Sequence, residues 1–285
     1  MWAIGSEECT GNYQFHCKNV QHGYNTKNFE DCFYVYEGNS NTDCYDLMRS
    51  GDGELLYNCA GVIDLKRSAF CNLAYQSDHL LYSDNCQGCS HCFGCFGLKE
   101  SKYCILNKQY TKEEYEELVP RIIEHMKKTG EWGEFFDPAI SSFGYNETKA
   151  MEWYPLTEKE VMKRGWTWST YEQSLPDGMK GIEGNRIPEN ISDVPDDILN
   201  YTIRSTISGT PYRLIPQELA FYRKKGLPVP RLHPKERMQE LSAVKNRHTI
   251  YTRDCPKCMK SMQTMFEPDD SQAVICEECY LQTVY

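Results

Sequence analysis

The sequence predicts a multidomain, mainly β protein. An N-terminal parallel β-solenoid with a 27-residue repeat is capped by a helix, followed by an α/irregular linker and a C-terminal zinc ribbon. Three observations carry this prediction. Cys17, Cys32, Cys44, Cys59, Cys71 and Cys86 recur with gaps alternating between 15 and 12, so every second one falls on a period of 27. Short aromatic or β-branched runs such as "DCFYVYEG" and "GELLYNCAG" are broken by Asn, Asp, Gly and Ser, and no proline occurs before Pro120. Two CxxC pairs, "CPKC" at 255–258 and "CEEC" at 276–279, are separated by the stretch 259–275. A fixed period of about 20–50 residues is the mark of a stacked repeat, short punctuated runs suit strands, and paired CxxC knuckles suit one tetrahedral ion.

The expected domains are 1–110 (cysteine-rich solenoid), 111–203 (capping helix and irregular linker), 204–253 (basic, ribbon-like) and 254–285 (zinc ribbon). Within the solenoid, "DCFYVYEG", "NCAGVIDL" and "NCQGCSHC" align, each with Asp or Asn before its cysteine. Eleven of the 15 cysteines lie between Cys9 and Cys104. The chain opens without a basic n-region or an apolar h-region, so no secretory signal is expected. The expected setting is reducing: the cytoplasm, or a virion for a phage-encoded chain. Buried thiols or metal ligands are then expected, rather than disulfides. No 18-residue apolar run is present, so no membrane partner is expected.

Cys86, Cys89, Cys92 and Cys95 follow one another at three-residue intervals in "DNCQGCSHCFGCFG". One reading packs them as inward residues of the last coil, since Cys86 already belongs to the repeat. The others make them a second metal site, zinc or an iron–sulfur cluster. The ferredoxin run has a longer last gap followed by proline, whereas Cys95 follows a two-residue gap and precedes Phe96.

"QYTKEEYEELVPRIIEHMKKTG" predicts the first helix, with a Thr111/Glu114 capping box, a Gly130 stop and a kink or split at Pro120. "PLTEKEVMKRG" predicts a second, capped by Thr157 and Glu160. The stretch 166–197, rich in Pro, Gly, Asn and Asp, reads as linker.

Charge is uneven. Residues 1–203 carry 18 Lys and Arg against 32 Asp and Glu, whereas 204–260 carry 13 against 4. A helix is expected at 216–225, stopped by Gly226. Arg223, Lys224, Lys225, Arg231, Lys235, Arg237, Lys245, Arg247 and Arg253, with Tyr222 and Tyr251 among them, form a candidate nucleic-acid footprint. The competing reading docks this basic surface on acidic protein. Cys255, Cys258, Cys276 and Cys279 fill all four positions of one zinc ion per chain, a closed structural site with no place for a reacting water. P-loop, dinucleotide, nucleophile-elbow and HExxH patterns are absent from the sequence. The expectation is therefore a non-enzymatic binding or assembly protein, either nucleic-acid-associated or a homo-oligomeric scaffold such as a virion component. A redox protein using Cys86–Cys95 is the third alternative.

The segment "STISGTPYRLIPQELAFYRKKGLPVPRLHPKER" resembles the probable zinc-binding domain family, with Gln217, Glu218, Phe221, Tyr222, Gly226, Pro230 and Arg231 matching in kind. Ser205 and Ser208 stand where that family has the first knuckle's cysteines, and "HPKER" at 233–237 replaces the second, so the resemblance implies a ribbon without its metal. The stretches "CFGCFGLKESKYCILNKQYTKEEYEEL", "EWGEFFDPAISSFGYNET", "YPLTEKEVMKRGW" and "CEECYLQTVY" are similar to a group of cysteine-rich zinc-ribbon proteins common in metagenomic bacteria and phages. This likeness implies an architecture and not a reaction.

Overall fold

The computed structural model describes residues 3–171, 179–243, 249–270 and 274–284. The chain forms two compact units, one of residues 1–140 with 248–285 and one of residues 141–247.

The first unit is built on a parallel β-solenoid of about nine turns. Its strands are β1 (Ala3–Ile4), β2 (Gly11–Phe15), β3 (Lys18–Thr42), β4 (Tyr45–Ala69), β5 (Tyr75–Leu81), β6 (Ser90–Phe93), β7 (Lys102–Ile105) and the short antiparallel β8 (Lys108–Gln109). The register fixes the coil. Phe33 pairs with Tyr45, Ile63 with Tyr75, Asp78 with Ser90 and Cys92 with Cys104, always the same twelve positions on. The coil period is therefore twelve and not 27. The recurrence at 27 is two coils plus one further side of the next.

The true unit is the triplet. From Tyr13 to Leu106 every third residue has a positive φ, between 46° and 70°. The next residue points inward. Two extended residues and one left-handed residue turn the chain a quarter of the way round, so four triplets close a coil. The Asp or Asn before each aligned cysteine now has its reason. Asp31, Asn58 and Asn85 hold the left-handed position, which short polar side chains tolerate best.

Cysteine suits the inward position for a second reason. The thiols of Cys32, Cys44, Cys71 and Cys92 each donate to the carbonyl two residues earlier, at 3.1, 3.1, 3.3 and 3.5 Å. Ser68, Ser77 and Ser83 make the same bond at 2.7, 2.7 and 3.1 Å. A small donor thus adds a second bond to a carbonyl that already accepts a backbone N–H from the next coil, as Glu30 O does from Asp43 and Ala69 O from Tyr82. The rest of the interior is apolar, with Val20, Val35, Val62, Leu65 and Leu80 fully buried.

Helix α1 (Lys112–Thr129) has the expected Thr111/Glu114 capping box and a left-handed Gly130 at its end. It is one helix and is not split at Pro120. Pro120 and Glu116, whose carbonyl the proline cannot serve, are both exposed, so the unserved carbonyl is open to solvent rather than buried. Tyr115 and Val119 are buried with Phe70, Tyr82, Phe93 and Ile105, so α1 covers a stripe crossing four successive coils. Trp132 and Phe136 extend that cover.

The second unit begins with the short helices α2 (Ala150–Trp153) and α3 (Glu158–Lys163), the latter with the expected Thr157/Glu160 box. Strand β9 (Lys180–Glu183) pairs in parallel with β10 (Tyr201–Arg204), which pairs antiparallel with β11 (Pro211–Tyr212). Helices α4 (Pro216–Lys225) and α5 (Pro234–Ala243) follow. The expected linker proves to be core from residue 179 on. Ile187, Ile191, Val194 and Ile198 are buried with Ile203, Leu214, Leu219 and Val229. The signal was four branched apolar residues at three- or four-residue spacing, masked by the surrounding Pro, Asn and Asp. Residues 172–178 of that stretch lie outside the described residues.

The chain after residue 248 returns to the first unit as a hairpin, β12 (Tyr251–Asp254) and β13 (Ser261–Thr264), ending in α6 (Glu277–Val284). No helix among the described residues is long and apolar enough to cross a membrane.

Candidate metal centre

The hairpin turn "CPKCMK" is a knuckle. Cys255 N–H donates to Lys260 O at 2.9 Å, and Met259 N–H donates to Cys255 O at 2.8 Å, with Met259 in the left-handed region at φ 57°. That closure aims Cys255 and Cys258 to one side. The second pair enters a helix: Cys276 immediately precedes α6 and Cys279 lies in its first turn. The four sulfurs all lie within 4.8 Å of one another. Cys258 Sγ stands 3.6 Å from Cys276 Sγ, against an edge of about 3.8 Å for a tetrahedron with metal–sulfur bonds of about 2.3 Å. Cys276 N–H donates to Cys255 Sγ at 3.3 Å, and this bond brings the Cys255 thiol down to about 6, so it is a thiolate at neutral pH. Hydrogen bonding from Cys276, with Cys258, holds Cys279 up at about 12. Lys260 pairs with Glu278 at 3.0 Å, and Lys257 donates to Thr283 Oγ1 at 2.6 Å, so the turn is fastened to α6 independently of any ion. The quartet is a set of four sulfur donors that can hold one metal ion.

Cys86, Cys89, Cys92 and Cys95 are the four inward positions of a single coil, one on each side. They are 0–2% exposed. Among the described residues, the groups whose ligand atoms all lie within 4.8 Å are the C-terminal quartet and a set of Asp78, His79 and His91. The coil does not bring its thiols together in that way, because each stands on its own side of the coil. Their thiols donate instead to carbonyls of the coil, Cys92 to Ser90 O at 3.5 Å and Cys95 to Phe93 O at 3.5 Å, and burial keeps oxidants from both. On native protein, a thiol reagent is therefore expected to modify the half-buried Cys9 and, wherever no ion holds them, the cysteines of the C-terminal hairpin. The ten buried solenoid thiols should react only on unfolding. Rapid labelling of Cys92 or Cys95 in the folded protein would contradict the packing role.

The sequence reading missed Asp78, His79 and His91. Their signal was a pair of histidines one coil apart, visible only once the coil length is known. The rings of His79 and His91 stack at 4.5 Å, and His79 Nδ1 is 3.0 Å from Asp78 Oδ2. Arg67 already reaches the same carboxylate oxygen at 3.3 Å, so a guanidinium occupies the place a cation would take.

The basic residues of 204–260 largely face internal partners. Arg223 binds Asp196 and, at 2.8 Å, Val194 O. Arg231 donates to Ile187 O at 2.9 Å, Lys235 to Asn146 O at 3.2 Å, and Arg253 to Glu267 O at 2.9 Å. Arg237 pairs with Glu218 at 3.8 Å. Tyr222 is buried with its hydroxyl on Glu218, and Tyr251 reaches Glu267 at 3.3 Å. Lys224 and Lys225 are exposed at the end of α4. Lys245 and Arg247 lie outside the described residues.

Fold and site together define a class: a cysteine-lined, triplet-built parallel β-solenoid joined to a four-cysteine hairpin. No family model matches the chain, and no curated protein matches it.

Proposed function

We propose that this protein is a non-enzymatic, self-assembling scaffold whose C-terminal hairpin is held by one zinc ion. The observation that carries the assembly reading is an apolar ladder on one side of the solenoid. Phe33, Tyr45, Tyr57, Ala69, Leu81, Phe93 and Ile105 follow one another, one per coil. Helix α1 packs on the second half, from Ala69 to Ile105. The first half continues the same stripe with no cover from α1: Phe33 and Tyr45 stack at 5.2 Å, and Tyr45 and Tyr57 are 45% and 43% exposed. An aromatic stripe continuous with an existing helix interface supports a second copy of this chain as its occupant. Zinc is supported by the donor set, since four thiolates at tetrahedral spacing are characteristic of structural zinc.

Light scattering across a concentration series tests the assembly. The wild type should associate, and Tyr45→Glu with Tyr57→Glu should make it monomeric. A strict monomer at every concentration would sink the scaffold reading. A second reading, binding of nucleic acid, is supported by Lys224 and Lys225, exposed where α4 ends. A gel shift at low salt, lost in Lys224→Glu/Lys225→Glu, would favour it over self-assembly.

A further inference from the structure

The second unit contains a hairpin built like the metal knuckle. β10 and β11 pair Ile203 with Tyr212 and Arg204 with Pro211; β12 and β13 pair Arg253 with Met262 and Asp254 with Ser261. The two registers coincide at a constant shift in numbering, with Arg253 in the place of Ile203 and Met262 in that of Tyr212. The turns coincide as well. Ser205 N–H donates to Thr210 O at 3.1 Å and Gly209 N–H to Ser205 O at 3.0 Å, matching Cys255 with Lys260 and Met259 with Cys255. Gly209 is left-handed at φ 72°, as Met259 is at 57°. Ser205 and Ser208 thus stand where Cys255 and Cys258 stand, one buried and one exposed in each case.

The other half of the module repeats too. His233 immediately precedes α5, as Cys276 precedes α6, and Glu236 lies three residues on, as Cys279 does. The two halves are joined by Thr206 N–H to Arg231 O at 3.1 Å. Where the cysteine hairpin has four converging sulfurs, this one has a carboxylate. Ser205 Oγ–H donates to Glu236 Oε2, and His233 N–H reaches the same oxygen at 3.2 Å. The Ser208 hydroxyl donates to Thr210 Oγ1 at 2.6 Å within the turn. Burial pushes Glu236 up, but the hydrogen bonds it accepts, that of Ser205 first, outweigh burial and hold the group below the usual carboxylate range.

We propose that Ser205, Ser208, His233 and Glu236 occupy the four ligand positions of a second ribbon, in which the Glu236 carboxylate takes the place of the metal as the tie between knuckles. The module is therefore metal-independent in this chain, yet keeps a backbone that would accept a soft divalent ion if thiolates were restored. The inference rests on reading the cysteine hairpin as a metal ribbon, but its tests separate the two.

The first test is metal content by mass spectrometry of full-length wild type and of S205C/S208C/H233C/E236C, both purified with zinc. The variant should carry one ion more than the wild type. A folded variant with no gain would overturn the proposal, whereas a wild type without zinc would overturn only the reading of Cys255–Cys279. The second test needs no four-fold variant. Hydrogen exchange on the wild type with excess chelator should lose protection across 251–264 and keep it across 201–212. Glu236→Ala should then raise exchange across 201–212 at least tenfold. Loss of protection in both hairpins on chelation, or no change with Glu236→Ala, would overturn it.

Discussion

Removing the metal should unfold the C-terminal hairpin and leave the solenoid standing. Between residues 249 and 284 the buried described residues are Cys255, Met265 and Cys279, too few to offset the backbone entropy of ordering such a segment, roughly 1–2 kcal/mol per residue. Binding of structural zinc contributes about 10–16 kcal/mol in small ribbons at neutral pH, so the ion is expected to dominate. Cys255→Ser should abolish zinc retention and expose the amides of 251–264 to rapid exchange. The far-UV signal of the β-solenoid should persist, because its ladders and interior use none of these residues. Hydrogen exchange with native mass spectrometry reads both effects. Full protection of 251–264 in the zinc-free protein would show that the Lys260–Glu278 and Lys257–Thr283 contacts suffice and that the ion is dispensable.

In the solenoid, Leu80→Ala should cost far more than Cys71→Ser. Leu80 is fully buried, with Ser68 and Cys92 one coil to either side in its column. Neither neighbour is large enough to fill the space, so the cavity should remain. The expected loss is about 3–5 kcal/mol, the upper range for such truncations. Cys71 also is fully buried, but its thiol bond to Ala69 O is the bond that Ser83, one coil on, makes to Leu81 O. Serine there keeps the donor and loses only a little apolar volume, for about 1 kcal/mol. Urea melts followed at the solenoid signal should separate the two variants by at least about 2 kcal/mol. Equal losses would mean that the interior cysteines act through sulfur-specific packing rather than as small donors.

The contrast between these sites shows what was legible in the sequence. The convergence of the two CxxC pairs was readable, because a knuckle sets its sulfurs within a few adjacent residues. The helix caps at Thr111 and Thr157 were readable for the same reason: a cap is a contact over three residues. The solenoid was recognisable, but its coil length was not, although every cysteine from Cys17 to Cys104 falls on one phase of a three-residue period. The period is hidden because Leu, Val, Ser, Thr and Gly share the inward position with cysteine, and the left-handed positions admit residues as unlike as Asp31, Leu55 and Tyr82.

The sequence by itself determined the local chemistry: cysteine pairs spaced to converge, helix ends, and turns that favour left-handed residues. Only the tertiary structure decided which distant residues meet. Stacking in coils of four triplets placed Cys86, Cys89, Cys92 and Cys95 on four sides of one coil instead of around an ion, and set His79 on His91. Packing in the second unit turned a Pro- and Asn-rich stretch into core and brought Glu236 onto Ser205 of a distant upstream turn. The physical reason is common to all of these. Ligation, capping and turn preferences act within a few residues, whereas register and core formation are set by hydrogen bonds and burial between segments whose spacing no local pattern records.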